Sequence, residues 1–146
     1  MRKTVGIEEF IKENGFFMDT TVGMSMYPML RSKRDAVVIH PCKERLKKYD
    51  VALYKVNDDY ILHQVIKVLP DSYIIRGDNR IDKEYGITDE NLLGVLTSFY
   101  RDERKISVHN FIYLIYVRFW NYIFPVRYLY KKCKSIVYRL KCKNKK

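Results

Sequence analysis

The fold is decided by residues 51–76, which read VALYKVNDDYILHQVIKVLPDSYIIR. β-Branched and aromatic residues, which favour strands, dominate three runs within it, at 51–56, 60–69 and 72–76. Asn57-Asp58-Asp59 separates the first two runs and Pro70-Asp71 the next two, and these are typical turn residues. The stretch therefore predicts a three-stranded meander, with His63 in the middle of its second strand.

Segments on both sides of the meander extend this pattern. Two further short β-type runs occur at 36–39 and 92–99. Near the N-terminus, apolar residues at positions 7, 10 and 11 have the spacing of one helix face, and Gly15 follows as a stop signal, so residues 7–14 predict a short amphipathic helix. The expected fold class is mainly β.

Positive charge is concentrated at the C-terminal end. The chain has 146 residues and a formal net charge of +11, but residues 1–103 carry 16 basic and 17 acidic side chains, whereas residues 104–146 carry 12 basic and no acidic ones. We therefore expect a near-neutral β domain, 1–103, followed by an aromatic, basic and helical tail, 104–146. The tail is expected to begin with a helix at 111–124 whose apolar face comprises Ile112, Ile115, Tyr116, Phe119 and Ile123, with Asn110, Arg118 and Asn121 towards the other side.

Composition excludes several classes of protein. A hydrophobic content of 47%, with 14% aromatics, is incompatible with a disordered or collagen-like chain. The three cysteines, at 42, 133 and 142, form no Cys-x-x-Cys pair, so neither a disulfide scaffold nor a zinc site is predicted, and no cofactor is expected. The longest apolar stretch, 111–117, is far shorter than the roughly 20 residues of a membrane-spanning helix. Acidic residues precede any apolar run at the N-terminus, so no secretory signal peptide is predicted either.

A lone serine provides the first indication of chemistry. Ser25 lies in the stretch VGMSMYPML, residues 22–30, between a glycine and a proline and directly before the β segments. A serine nucleophile needs a base, a group that orients the base, and N–H donors for the oxyanion. His63 is a candidate base, and Asp78 and Asp82 follow the last strand of the meander. Each of these residues alone is more often a turn or packing residue, but their joint order is informative.

Four ordered boxes resemble the signal peptidase I and LexA-like serine peptidase superfamily, most closely its small bacterial branch with a histidine base. They cover about residues 20–97 and read Ser25-Met26-Tyr27-Pro28, Tyr49-Asp50-Val51-Ala52-Leu53-Tyr54, His63-Gln64-Val65-Ile66 and Gly77-Asp78-Asn79. The resemblance implies a serine endopeptidase that cleaves signal- or leader-like peptides through an acyl-enzyme. It also implies Ser25 as nucleophile and His63 as general base, at a position where bacterial signal peptidases typically have lysine.

The resemblance leaves the orienting carboxylate open. Asp78, Asp82 and Glu84 all follow the third strand, and we favour Asp82 for orientation and Asp78 for structural support. Lys33 and Lys67 lie outside the family's base position and are interpreted as surface lysines, while His40 and His109 match no box and are interpreted as non-catalytic.

The residues around the nucleophile are expected to shape the site. Gly23 stands where some family members carry a hydroxyl, so either backbone N–H groups alone or Thr21 would supply the second oxyanion donor. By resemblance, Met26 lines the substrate pocket and Pro28 fixes the turn. An extended peptide or preprotein would pair with exposed strand edges near the nucleophile.

The tail lies outside the resemblance. The family's usual N-terminal membrane helix has no counterpart among the 24 residues before Ser25, so we expect residues 104–146 to hold the protein peripherally on an anionic bacterial membrane surface. The lack of a signal peptide favours the cytoplasmic face, whereas the classical relatives work outside, so the side stays open. In the alternative for the tail, residues 111–124 pack back on the domain and the Lys-rich end is solvated. The alternative is a non-catalytic β scaffold that uses the basic tail to bind nucleic acid or membrane. Nucleic acid is disfavoured because the tail contains no recognisable helix-turn-helix.

Overall fold

A computed structural model describes residues 6–143 and confirms a mainly β fold with helices at both ends. Eight strands form one antiparallel sheet. In chain order they are β1 (Phe17–Thr20), β2 (Ala36–His40), β3 (Val51–Val56), β4 (Asp59–Val68), β5 (Tyr73–Arg76), β6 (Glu84–Ile87), β7 (Leu92–Arg101) and β8 (Arg104–Ser107). The helices are α1 (Ile7–Asn14), α2 (Phe111–Tyr122) and α3 (Phe124–Lys143), and a single 3₁₀ turn spans Asp89–Asn91.

The predicted meander is confirmed and forms one half of the sheet. Strands follow the order β1-β2-β7-β3-β4-β5-β6, and β8 pairs with the end of β7. The β3–β4 hairpin turns on two residues, and Asn57 adopts the left-handed conformation that such a turn requires, with a φ of 56°. β5 pairs with β4 only from Gln64 onward, so the edge of β4 opposite β3 is unpaired over residues 59–63.

The N-terminal helix is also confirmed. α1 ends where Gly15 takes up a left-handed conformation, with a φ of 75°, and its N–H caps the carbonyl of Ile11 at 2.9 Å. Ile11 is the one buried residue of α1 and joins the larger of two apolar clusters, which also contains Met26, Met29 and Leu30. The helix and the Ser25 loop therefore pack on the same core.

The C-terminal region is joined to the sheet. The expected boundary between residues 103 and 104 falls inside the β7–β8 hairpin, since Arg104 pairs with Arg101. The helix predicted for 111–124 ends at Tyr122, and α3 starts at Phe124, directly before Pro125. Proline is tolerated in the first turn of a helix, where its missing N–H would have no intrahelical acceptor. Within residues 6–143, no helix has both the length and the apolar character needed to cross a bilayer.

The inner face of α2 differs from the predicted one. Tyr113 and Val117 are buried, whereas Ile112, Ile115 and Phe119 are between 51% and 76% exposed. Asn121, which we expected on the outer side, donates to the Gln64 side chain at 2.5 Å and accepts from Arg76 at 2.9 Å. Gln64 and Arg76 are buried polar residues that need hydrogen-bond partners, and α2 turns its polar Asn121 inward to supply them.

Candidate active site

Ser25 lies on a loop whose two ends are joined by hydrogen bonds. The loop leaves β1 and returns at β2, and Thr21 N–H donates to the Asp35 carbonyl at 3.1 Å, which closes it. The fully buried Asp35 carboxylate accepts from Arg31 N–H at 3.0 Å and pairs with Arg34 at 2.6 Å. These bonds hold the pKa of Asp35 below its usual value although burial alone would raise it. The half-buried Ser25 is thus presented on a tethered loop.

His63 lies in the middle of β4, as predicted, and is buried. Its Nδ1 lies 2.7 Å from Glu84 Oε1, and the Tyr54 hydroxyl donates to Glu84 Oε2 at 2.5 Å while lying 3.1 Å from Nδ1. A carboxylate can only accept, so neutral His63 carries its proton on Nδ1. Its Nε2 is then left with a lone pair.

Glu84 occupies the place that we expected Asp82 to take. β6 starts at Glu84, which is paired with Ile75 of β5, and this register brings the Glu84 side chain to His63. Asp82 is exposed and lies two residues earlier, in the connection between β5 and β6, where it lines the cleft but makes no hydrogen bond with His63. The preference for Asp82 over Glu84 as the orienting carboxylate is therefore wrong on geometry.

Ser25 and His63 meet at Gly77. A Cβ atom built on Gly77 would lie 2.7 Å from the Ser25 carbonyl oxygen and 2.9 Å from His63 Cδ2. Cδ2 is bonded to Nε2, so the Nε2 side of the ring and the Ser25 carbonyl both lie next to Gly77. Among residues 6–143, the Ser25 hydroxyl makes no hydrogen bond to His63. The hydrogen bond between a nucleophile and its base is often long in the absence of substrate and shortens when substrate binds.

Asp78 is buried and hydrogen-bonded to the C-terminal helices. It is 4% exposed, and its carboxylate accepts from the Tyr116 hydroxyl at 2.8 Å. Its carbonyl accepts from the Trp120 indole at 3.1 Å and also from Arg127. Burial raises the pKa of Asp78 to about 6, although Tyr116 and the nearby arginines oppose this rise. Asp78 therefore joins the sheet to α2 and α3 and does not contact His63.

Electrostatics favour a neutral His63 at neutral pH. Burial lowers the pKa of His63 from its ordinary value, and the positive charge of Arg80 lowers it further, whereas the Glu84 carboxylate raises it. Burial, together with the adjacent Glu84, also raises the pKa of Tyr54, so its hydroxyl stays protonated and continues to donate. The imidazole can therefore act as a proton acceptor without first losing a proton.

A cleft of about 860 Å³ opens in front of these residues. Its lining includes many apolar side chains together with Ser25, His63 and Glu84. Gly23 and Met26 line the cleft, and Pro28 lies outside its lining. Met26 is also 5% exposed and belongs to the core, so it both packs and lines the cleft. The free edge of β1 and the unpaired part of β4 border the same opening.

The hydrogen bonds around Ser25 show which of the candidate oxyanion donors are already engaged. The Thr21 hydroxyl donates to the carbonyls of Arg31 and Asp35, at 3.3 and 3.4 Å, and so is engaged within the loop. Gly23 N–H donates to the Ser32 hydroxyl at 3.1 Å. Within the described residues, Ser25 N–H has no acceptor and remains the best-placed backbone donor.

The remaining candidates lie away from the cleft. Lys67 and Lys33 are exposed, and neither lines the cleft. His40 is bound to the Thr97 hydroxyl at 2.9 Å on the far part of β2, and His109 is exposed in the turn before α2. In the part of the chain that the structure describes, no cluster of His, Cys, Asp or Glu has an arrangement suited to a metal ion.

Comparison with known proteins provides no identification: no protein-family model matches the chain, and no curated protein matches it either.

Sequence reasoning missed two contributors to the site. Tyr54, which contacts both His63 and Glu84, had been placed in a strand and in the second of the four boxes but had been given no role at the base. Asn79 donates its backbone N–H to the Ser25 carbonyl at 2.7 Å and its side chain to the Met24 carbonyl at 3.2 Å. A signal for Tyr54 was available, because Ala52 pairs with His63 in the β3–β4 hairpin and residues two apart on a strand share a face.

Proposed function

We propose that this protein is a serine endopeptidase related to the signal peptidase I and LexA-like superfamily, with Ser25 as nucleophile and His63 as general base. The observation that carries the proposal is the alignment of three groups along one cleft. Glu84 holds Nδ1 of His63 at 2.7 Å, and the Nε2 side of the ring lies next to Gly77, as does the Ser25 carbonyl. A base oriented by a carboxylate and adjacent to a serine is the arrangement that activates a hydroxyl nucleophile.

The reaction follows from the protonation states. His63 Nε2 takes the proton of the Ser25 hydroxyl as the oxygen attacks the peptide carbonyl, and Glu84 stabilises the imidazolium that forms. The oxyanion lies against Ser25 N–H. Collapse of the tetrahedral intermediate breaks the C–N bond, and His63 returns its proton to the leaving amine. Water then attacks the acyl-enzyme, with His63 again accepting and returning a proton, which restores Ser25 and releases the acid.

Substrate binding is proposed to occur by strand addition. Two unpaired backbone edges border the cleft, one from β1 and one from residues 59–63 of β4. An extended peptide can donate to and accept from such an edge, and alternate side chains then enter the pockets below it. Leu53, Leu62 and Ile39 are among the apolar residues that line the cleft, which suits the apolar segment of a signal- or leader-like peptide.

The proposal is tested by two independent readouts. A fluorophosphonate probe should label Ser25 in the wild-type protein. It should not label Ser25→Ala, and it should label His63→Ala much more slowly than wild type. Mass spectrometry of a signal-like peptide library should show specific cleavage by wild type that both variants lose. Ser72→Ala and His40→Ala are matched controls, because both residues lie outside the cleft, and they should keep both activities.

Two results would overturn the proposal. One is the absence of both labelling and cleavage in a wild-type protein that is folded by circular dichroism. The other is cleavage that persists unchanged in Ser25→Ala. Either would favour the non-catalytic binding scaffold.

A further inference from the structure

The outward sides of α2 and α3 expose an unusual amount of apolar surface. Large apolar side chains that are between 48% and 84% exposed recur along the outward sides of both helices, and we call them the outer face: Phe111, Ile112, Ile115, Phe119, Tyr122, Val126, Leu129, Tyr130, Ile136, Val137 and Leu140. Tyr138 is 70% exposed as well, but it falls on the same side of α3 as Arg127 and Lys131 and is not part of the outer face. The inner side of α2 is already packed on the core through Tyr113 and Val117. The outer face is therefore not needed to close the domain, and an apolar surface of this extent marks an interaction site.

Positive charge flanks the apolar strip of α3 on both sides. At 100° per residue, Val126, Leu129 and Leu140 fall on one strip of the helix. Lys132 and Arg139 then lie along one border of the strip, and Lys134 and Lys141 along the other, all of them exposed. Residues 104–146 contain no acidic side chain that would offset these charges.

We propose that the outer face lies in the interfacial region of an anionic lipid bilayer, with both helices parallel to the membrane plane. Charge complementarity selects this occupant, because an anionic bilayer accepts an apolar strip and its flanking cations together. A second copy of the chain would bring the same excess of positive charge to the contact, and a nucleic acid would neutralise the cations but leave the apolar side chains uncovered. A parallel placement agrees with the finding that no described helix is suited to crossing a bilayer.

Vesicle flotation with the full-length protein tests the docking proposal. The protein should bind vesicles that contain phosphatidylglycerol, bind pure phosphatidylcholine vesicles much more weakly, and lose affinity as salt is raised. The double variant Phe119→Ser, Leu129→Ser should lower the partition coefficient about 100-fold, because two large apolar side chains no longer enter the interface. Tyr85→Ser is the matched control, since Tyr85 is 66% exposed on β6, and it should bind as wild type does.

Three results would overturn docking to lipid. The first is no binding to phosphatidylglycerol vesicles, and the second is equal binding by wild type and the double variant. The third is a concentration-dependent dimer in sedimentation, or tight binding to duplex DNA, in a protein that does not bind vesicles.

A separate observation concerns the inner side of α3. Two of its cations reach the loop that follows β5: Arg127 donates to the Asp78 carbonyl, and Lys131 donates both to the Asn79 carbonyl and, at 2.8 Å, to the Asn79 side-chain oxygen. Asn79 in turn donates to the carbonyls of Ser25, at 2.7 Å, and Met24, at 3.2 Å. A continuous path of hydrogen bonds thus runs from α3 to the Ser25 loop.

We infer that Lys131 is a positioning residue that fixes the Ser25 loop through Asn79, an inference that rests on the proposed peptidase function. Lys131 is half-buried, whereas its neighbour Lys132 is exposed and makes no hydrogen bond to the Ser25 loop or to Asn79. Removing the Lys131 ammonium leaves both the Asn79 carbonyl and the Asn79 side chain with fewer constraints, so the bonds from Asn79 to the Ser25 and Met24 carbonyls lose part of their support. The lysine touches neither the substrate nor the reacting atoms.

The test compares Lys131→Met with Lys67→Met in the full chain, since Lys67 is exposed and lies outside both the cleft and the outer face. Lys131→Met should label with the fluorophosphonate about 10-fold more slowly and should show faster hydrogen exchange over residues 22–30, with an unchanged melting temperature. Lys67→Met should match wild type, and Lys131→Arg should restore most of the labelling rate. Equal exchange and labelling in the two methionine variants would overturn the inference. If wild type does not label at all, the peptidase proposal fails, and the exchange rates still decide the role of Lys131.

Discussion

Replacing Asp78 with asparagine is expected to remove a pH-dependent part of the protein's stability. Asp78 is 4% exposed, and burial raises its pKa from 3.8 to about 6. Each pKa unit corresponds to about 1.4 kcal/mol, so the ionised Asp78 lowers the free energy of unfolding by about 3 kcal/mol relative to the protonated form. Asparagine has no charge to desolvate and still accepts the Tyr116 hydroxyl through its side-chain oxygen.

The sign follows from the raised pKa. The stability that protonated Asp78 contributes is fully present below the unfolded pKa near 3.8 and is lost as pH rises through about 6. The free energy of unfolding of Asp78→Asn minus that of wild type should therefore increase by about 3 kcal/mol between about pH 3 and pH 7. Taking the difference cancels the titration of the other groups.

Urea denaturation at a series of pH values, followed by fluorescence, measures this difference. The chain has one tryptophan, Trp120, whose indole donates to the Asp78 carbonyl, so its emission reports the contact directly. Tyr116→Phe serves as a second variant: it removes a hydrogen bond that lowers the pKa of Asp78, and its pH dependence should be steeper than that of wild type. A flat difference, or one that falls with rising pH, would mean that Arg127 and Arg76 outweigh the cost of burial, and would refute the reasoning.

Two further predictions concern the reacting groups. Glu84→Gln should lower kcat by about 100-fold or more. Because Glu84 raises the pKa of His63, the same variant should shift the rising limb of the pH–rate profile to lower pH. In wild type, the midpoint of that limb should lie below pH 6.5. Asp82→Asn is the control and should leave both quantities unchanged, and the reverse result would restore Asp82 as the orienting carboxylate. Gly77→Ala should abolish labelling of Ser25 and lower the free energy of unfolding by about 1–3 kcal/mol, because the new Cβ would lie 2.7 Å from a backbone oxygen. Gly6→Ala is the control: the nearest atom to its Cβ lies at 3.9 Å, so thermal denaturation and labelling should both match wild type.

The sequence was most informative where local pattern determines structure. Runs of β-branched and aromatic residues located the long strands β3, β4 and β7, and the spacing of Ile7, Phe10 and Ile11 located α1. The strands β1, β6 and β8 were not predicted, because each has four residues of which at most two are β-branched or aromatic. β5 is equally short but has three such residues in a row and was predicted. Short strands of this kind are defined by their partners in the sheet.

The error at the orienting carboxylate has the same origin. Asp82 and Glu84 are two residues apart, and nothing local distinguishes them as partners for His63. The choice is made by β6, whose pairing of Glu84 with Ile75 places one carboxylate at the imidazole and leaves the other in the preceding connection. Register between distant strands is a tertiary property.

Hydrophobicity alone could not predict which face of α2 is buried, because this choice also depends on tertiary contacts. A helix with apolar residues on nearly every side offers several equivalent faces, and the protein buries the one that satisfies Gln64, Arg76 and Asp78. The more apolar side, with Ile112, Ile115 and Phe119, is left outside. Polar partners in the sheet thus decide which apolar residues are exposed.

The two roles inferred for the C-terminal helices lead to one joint prediction. Over residues 124–142 of α3, only Phe124, Arg127 and Lys131 are half-buried, and all others are exposed, so few contacts hold this helix against the domain in water. A bilayer that holds the outer face would also keep Lys131 at Asn79. Vesicles containing phosphatidylglycerol should therefore raise the fluorophosphonate labelling rate of Ser25 several-fold in wild type and leave it unchanged in Lys131→Met. Equal stimulation of both proteins would mean that lipid acts on the site by another route than α3, and no stimulation of either would mean that α3 is already fully seated without a membrane.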